Sequence, residues 1–324
     1  MAIISKGQII TNRPVAELLS LFREDYYQIK VEGAISTEVR EQFKGLTVDG
    51  KEGVTTISGA IKDQMMLVPL LGEIRKGLLI GWAYKANQLI SFLTLGFIFV
   101  VIVFFMTGGT LDPVRIAPAI IGYLTWMYVV AVLGDLAFGL RAEMSAGTLE
   151  QLAMSPAPVG LLLTARVIVN IIVTTIEVIL MAILVLVIFD IHINWSIDVL
   201  PILLLTLVGV LGFGFMIAGV VLIFKQIESF INLFNNLLAF LNGTFLPVSA
   251  MPGWLAAIAM AIPSTSGIIV IRKLMLDGKS LTDTWRDGSL VGLAINSVCY
   301  LLIGWIIFVV CERVAKRRGS LGQY

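Results

Sequence analysis

Apolar residues run without alternation through six stretches, 88–106, 116–140, 161–189, 199–224, 227–246 and 290–310. Each approaches the roughly 20 residues that an α-helix needs to cross a bilayer. Lipid offers the backbone no hydrogen bonds, so runs of this length with no period of two predict helices. The expected fold is an all-α membrane protein with six transmembrane helices and both ends on one side.

Basic residues in the short flanks orient the bundle. Arg75, Lys76 and Lys85 precede the first run, Arg141 follows the second, Lys225 separates the fourth from the fifth, and Arg313, Lys316, Arg317 and Arg318 follow the last. That side is expected to be cytosolic, with both termini there. The 190–198 connection has no Lys or Arg, as an external loop should. Arg272, Lys273, Lys279 and Arg286 oppose this assignment, since parity puts them outside.

Between the fifth and sixth runs, two apolar stretches, 254–262 and 267–276, flank Pro263-Ser264-Thr265-Ser266. Each is too short to cross, which predicts a re-entrant or interfacial helical hairpin with its corner at Pro263; two extra spans are the other reading. Upstream, Leu71, Ile74, Leu78 and Trp82 recur at helical spacing while Glu73, Arg75, Lys76 and Lys85 face elsewhere. This suits an N-terminal helix lying in the interface, and equally a polar extension of the first span.

Residues 1–64 have no apolar run and form a separate, small soluble α+β segment. Ile3-Ile4 and Ile9-Ile10 flank Ser5-Lys6-Gly7 as in a hairpin, 15–22 suits a short helix, and 26–32 alternates like a strand.

Composition agrees with a lipid-solvated chain: 58% hydrophobic and 14% charged residues, with a mean hydropathy of +0.94, are too apolar for a soluble domain of this size. The net charge of +1 carries no signal for nucleic acid, and no nucleic-acid partner is expected. Cys299 and Cys311 would stand roughly 18 Å apart along one helix, too far to bridge, and read as small packing residues. His192 is the single histidine and has no imidazole or thiol neighbour for a metal. No pairing of nucleophile and base, and no paired carboxylates, point to catalysis, so the chain is not expected to be an enzyme.

The insert between the second and third runs holds the most specific pattern. Thr148 with Gln151 fits a capping box, Glu150 falls in the first turn where the helix dipole favours an anion, and Leu149 and Leu152 share a face. Ser155-Pro156 ends the turn, with Ser155 placed to cap the next span and Pro156 at its first position. A capped connecting turn explains these features by itself. Yet Arg141, Glu143, Gly147-Thr148-Leu149-Glu150-Gln151-Leu152 and Ser155-Pro156 also resemble the loop of ABC type 2 exporter permeases: an acidic residue, then Gly-Thr-Leu-Glu, then Ser-Pro. Met144-Ser145-Ala146 departs from that family, which carries more charge there. The resemblance covers about residues 65–324 and implies a transmembrane permease domain whose loop docks on a separate ATP-binding subunit. It also implies an opening interfacial helix and a pair of external half-helices. Residues 1–64 resemble the carboxyl-terminal tail of an ABC ATP-binding subunit, but without the phosphate-cradling loop that would bind ATP.

Polar residues inside apolar runs are expensive unless they face protein or water. Asn232, Asn235, Asn236, Asn242 and Gly243 fall within one arc of the fifth run, either as a pathway lining or as interhelical glue worth about 0.6 kcal/mol per bond. Glu177, with Asn170 two turns earlier, is the other pathway candidate. Arg166 is expected to snorkel, and Asp135 to face interfacial water.

The resemblance therefore implies the membrane permease subunit of an ATP-driven exporter in the cell membrane, plasma or inner. ATP and Mg would be held by the partner subunit, with no cofactor in this chain, and a second permease copy or a homologous permease would complete the unit. A drug, a lipid or a glycan would suit an uncharged polar stripe. A gradient-driven carrier and a non-transporting membrane scaffold are the alternatives.

Overall fold

The computed structural model describes five strands between residues 2 and 59 and residues 72–318, apart from 78, 80, 82, 110–111, 150–151, 153–154, 156, 192–195 and 225–227. For the strands, and for residues 115, 228–232, 234 and 318, the backbone alone is described. The chain divides into two units, Met1–Pro69 and Leu70–Tyr324. In the first, β1 (Ala2–Ser5) pairs antiparallel with β2 (Gln8–Asn12). A three-stranded antiparallel sheet has β5 (Val54–Gly59) between β3 (Tyr27–Glu32) and β4 (Thr47–Lys51). The helix expected at 15–22 lies outside the described residues.

The second unit is helical. Five helices among the described residues are long and apolar enough to cross a membrane: Lys85–Met106, Ile116–Ser145, Val159–Phe189, Val199–Ile223 and Ser289–Arg317. We denote α1 as Lys85–Met106, α2 as Pro113–Leu133, α3 as Leu140–Ser145, α4 as Val159–Phe189 and α5 as Val199–Ile223. A π-helical turn, Gly134–Gly139, joins α2 to α3 within one continuous span. Asp112 starts α2 by accepting from the Val114 N–H at 3.1 Å, with Pro113 in the first turn, where its missing donor costs nothing.

The fifth run is shorter than the sequence predicts. Among the described residues its helix, α6, covers Glu228–Leu241, about 21 Å at 1.5 Å per residue and short of a roughly 30 Å hydrocarbon core. The helix stops because Gly243 takes φ +80°, the left-handed conformation of a helix end. The Asn242 carboxamide oxygen then accepts from the Thr244 N–H at 3.0 Å and its hydroxyl at 2.6 Å, fixing the turn.

Next, α7 (Gly253–Ala261) and α8 (Pro263–Met275) meet at 98°, a re-entrant corner or one broken span. Pro263 occupies the first turn of α8, as the corner requires. After the short α9 (Leu281–Arg286), α10 (Ser289–Arg318) closes the bundle.

Helices α2 and α5 are the buried ones, while α1, α4 and α10 expose apolar side chains to the surroundings, as lipid-facing helices do. One core gathers Leu133, Leu136, Leu140, Met144 and Phe215; the other gathers Phe99, Ile120, Tyr123, Met181 and Ile271. The Tyr123 hydroxyl donates to the Leu95 carbonyl at 2.8 Å and the Tyr128 hydroxyl to Thr175 at 3.1 Å, so α2 is tied to both α1 and α4. Backbones touch where α5 crosses α10: a Cβ on Gly304 would lie 1.8 Å from the Gly212 carbonyl oxygen. Small residues permit this approach, as in other membrane helix pairs. Cys311 is buried against Gly219 in that seam, while Cys299 is exposed, so only the former acts as a packing residue.

Candidate functional site

The insert begins where α3 ends. Gly147 adopts φ +69° with open space around its Cβ position, so glycine is required there for conformation, not for room. The Gly147 N–H bonds to the Met144 carbonyl at 3.1 Å and the Thr148 N–H to the Glu143 carbonyl at 3.0 Å, satisfying the last carbonyls of α3. One further turn follows, in which the Leu152 N–H reaches the Thr148 carbonyl at 3.0 Å. Leu149 is 1% exposed and packs into the first core with Met144, while Leu152 rests on its edge. The shared apolar face therefore plugs the insert into the bundle, leaving Ser145, Ala146 and Gly147 exposed.

One local expectation is corrected, and one gains a partner. The Thr148 hydroxyl donates to the Glu143 carboxylate, a charge-assisted bond, while the capping box drawn with Gln151 falls on residues outside those described. Ser155 does not cap the next span: its hydroxyl oxygen accepts from the Ala157 N–H at 3.4 Å, and α4 starts at Val159 with Pro158 before it. Glu150, Gln151 and Pro156 lie outside the described residues. Arg141 is half exposed at the start of α3.

Glu143 belongs to an ion cluster. Arg166 on α4 places Nη2 at 2.7 Å from Glu143 Oε1 and Nε at 2.6 Å from Glu73 Oε2. Lys76 stands 3.7 Å from Glu143 and 4.0 Å from Glu73. The Arg166 side chain is 17% exposed, so it is an internal strut and does not snorkel as expected. Four acidic and basic groups thus join the helical stretch 72–77, the end of α3 and the start of α4. The sequence showed these charges but not their meeting, because they come from segments far apart along the chain.

Above the cluster, α4 carries a polar face. Arg166, Asn170, Thr174 and Glu177 recur at near-fourfold spacing, the repeat of one helix side. A cavity of about 350 Å³ is bordered by Arg166, Asp135 and Asn170. A second, of about 180 Å³, is bordered by Asn170, Thr174, Glu177 and Trp126. Asn170 lines both and donates to the Ala131 carbonyl at 3.3 Å. Asp135, expected to face interfacial water, lines the larger cavity from the π-helical turn.

The asparagines of the fifth run separate. Asn235 is half exposed and Asn236 exposed on α6, the Asn232 side chain lies outside the described residues, and Asn242 is fully buried in its turn. Nearby, Arg272 donates Nε and Nη2 to the Pro118 carbonyl at 2.9 and 2.7 Å, and Nη2 to the Thr244 carbonyl at 2.8 Å. Gly122 allows the contact, since a Cβ there would lie 2.5 Å from the Thr244 oxygen. One of the basic residues that opposed the orientation is therefore an internal fastener between α8, α2 and the 242–246 turn. Lys273 and Lys279 are paired with Asp287 at 2.9 and 3.6 Å.

Residues 136–276 match the ABC-2 type transporter family. Residues 26–77 match a domain of unknown function, DUF8691. No curated protein matches the chain. Neither match gives residues 1–64 the character of an ATP-binding subunit's tail. The insert, the polar face of α4 and the α7–α8 corner all fall inside the first match, apolar helices lie on both sides of it, and the match supports an ABC-2 type transporter membrane subunit.

Proposed function

We propose that this subunit is the permease of an ATP-driven exporter in the cell membrane, with both termini cytosolic, and that the insert around Gly147 takes up the motion of a separate ATP-binding subunit. The observation that carries this reading is the continuous tie from the exposed tip of the insert, through Thr148 and Glu143, to Arg166 at the base of the polar face of α4. An insert plugged into the core by Leu149 cannot shift without moving its neighbours, because packed interiors respond as rigid units. When the ATP-binding subunits close, displacement at Ser145–Gly147 passes through the ion cluster to α4 and changes the two cavities that Asn170 separates. ATP and Mg belong to the partner, and a second permease copy or a homologous one completes the pathway, with Asn235 and Asn236 of α6 as further lining groups.

The exported solute is an amphipathic drug, a lipid or a glycan. Reconstitution with the cognate ATP-binding subunit tests the proposal: ATP-dependent movement of a member of a panel drawn from these classes supports it, while movement driven by an ion gradient without that subunit, or no movement of any member, overturns it.

A further inference from the structure

We propose that the cavity of about 350 Å³, bordered by the helical stretch 72–77, the π-helical turn, α4 and Gln88 of α1, binds an amphiphilic cation, and that this is the class of solute the subunit accepts. The inference rests on the transporter reading for its biological meaning but on the cavity itself for its chemistry.

The volume of about 350 Å³ falls within the range of small-molecule sites. Gly77, Gly81, Val169 and Val173 give it apolar walls suited to an organic body. The ionisable residues around it are Glu73, Asp135, Glu143, Lys76 and Arg166, three acids against two bases. Both bases are already engaged: Arg166 spans Glu73 and Glu143, and Lys76 lies beside the same two carboxylates. Among the described residues Asp135 makes no ion pair within 4 Å: Asn170 hydrogen-bonds to it and the charge of Arg166 is near, but that guanidinium is already held by Glu73 and Glu143.

Backbone geometry brings Asp135 to this place. The π-helical turn Gly134–Gly139 adds a residue to the helical repeat and re-aims the side chains within it, a device found at functional sites. The glycines at both ends meet no neighbour within 4 Å of their Cβ positions, so packing does not demand them; their weak helical preference eases the wider turn. Asn170 and Gln88 flank the cavity and can turn carboxamide oxygens toward a positive charge. With three acids against two bases, a cation offsets the excess charge, whereas an anion would add to it and a neutral guest would leave it as it is.

The test uses the purified full chain in nanodiscs, without ATP or a partner, and two probes of the same shape and opposite charge, tetraphenylphosphonium and tetraphenylborate. Calorimetry should find the cation bound roughly tenfold or more tightly than the anion, the factor of one charge contact. Asp135→Asn should weaken cation binding by about tenfold, and Gln88→Glu, which adds a carboxylate to the same wall, should strengthen it. Competition by an aminolipid in the disc would identify a lipid amine as the cation, and its absence a soluble solute; both outcomes support the site. Equal affinity for the two probes overturns the proposal, as does cation binding indifferent to both substitutions. Because no ATP is involved, that failure would leave the exporter reading standing, and cation binding without ATP-driven flux would remove the exporter reading alone.

Discussion

The guanidinium of Arg166 stands 2.7 Å from the carboxylate of Glu143, fastening the first turns of α4 to the last turn before the insert. Their side chains are 17% and 16% exposed, so the pair is mostly withdrawn from water and removing one partner strands the other. Glu143→Gln and Arg166→Gln should each lower thermal stability, and the double variant should lose less than the sum. A double-mutant cycle on unfolding should give an interaction of about 1–3 kcal/mol. Additive losses would mean that the two groups do not sense each other.

Thr148 extends the same tie. Thr148→Val keeps the shape but removes the hydroxyl that Glu143 accepts, for a cost of roughly 1 kcal/mol, and Thr148→Ser should restore it. The expected readout is a smaller amount of solute moved per ATP in Val, recovered in Ser, with insertion unchanged in both.

The α5–α10 seam admits no side chain at its closest point. Gly304→Ala would drive a methyl into the Gly212 carbonyl, and the helices must separate. A loss of about 1–3 kcal/mol is expected, read as a lower melting temperature in detergent. Gly292→Ala, on the same helix with open space around its Cβ position, should cost far less.

Acid should loosen the connection around α9. Hydrogen bonds from the Ser280 N–H and hydroxyl lower the Asp283 carboxyl, and the Ser289 hydroxyl, followed by the Lys273 ammonium, holds Asp287 well below the usual carboxylate range. Both shifts are downward on folding. Their stabilisation is therefore present above the unfolded value of about 4 and lost as pH falls through the depressed folded values. Trp285 fluorescence, in a chain whose other tryptophans are replaced by Phe, should stay constant from neutral pH to about 5 and change only in stronger acid.

Much of this architecture is written in apolar periodicity. Five of the six long runs became helices near their expected ends, and the short stretches around Pro263 became two helices meeting at a corner. The fifth run misled because Asn242-Gly243 lies in an apolar neighbourhood, and a left-handed helix stop looks like a polar stripe when only hydropathy is read. At the site, residue types around Gly147 identified the insert, but not the partner of Thr148. A hydroxyl can accept from its own helix and also donate elsewhere, and only the fold brings the Glu143 carboxylate within reach of its proton. Arg166 was expected to snorkel and Arg272 was counted against the orientation, and both turn out to be held inside the bundle. A long cationic side chain snorkels unless acceptors are brought to it, and those acceptors, Glu73, Glu143, Pro118 and Thr244, come from distant segments. The π-helical turn that carries Asp135 left only a pair of glycines as its trace.

The central claim is that ATP-driven motion enters through the insert and leaves through α4. Solute moved per ATP hydrolysed, in proteoliposomes holding this chain and its ATP-binding subunit, measures it most directly. The account predicts flux only with both subunits and ATP, and in Glu143→Gln a roughly tenfold lower ratio with hydrolysis retained. Flux by this chain alone along an ion gradient, or an unchanged ratio in Glu143→Gln, would contradict it.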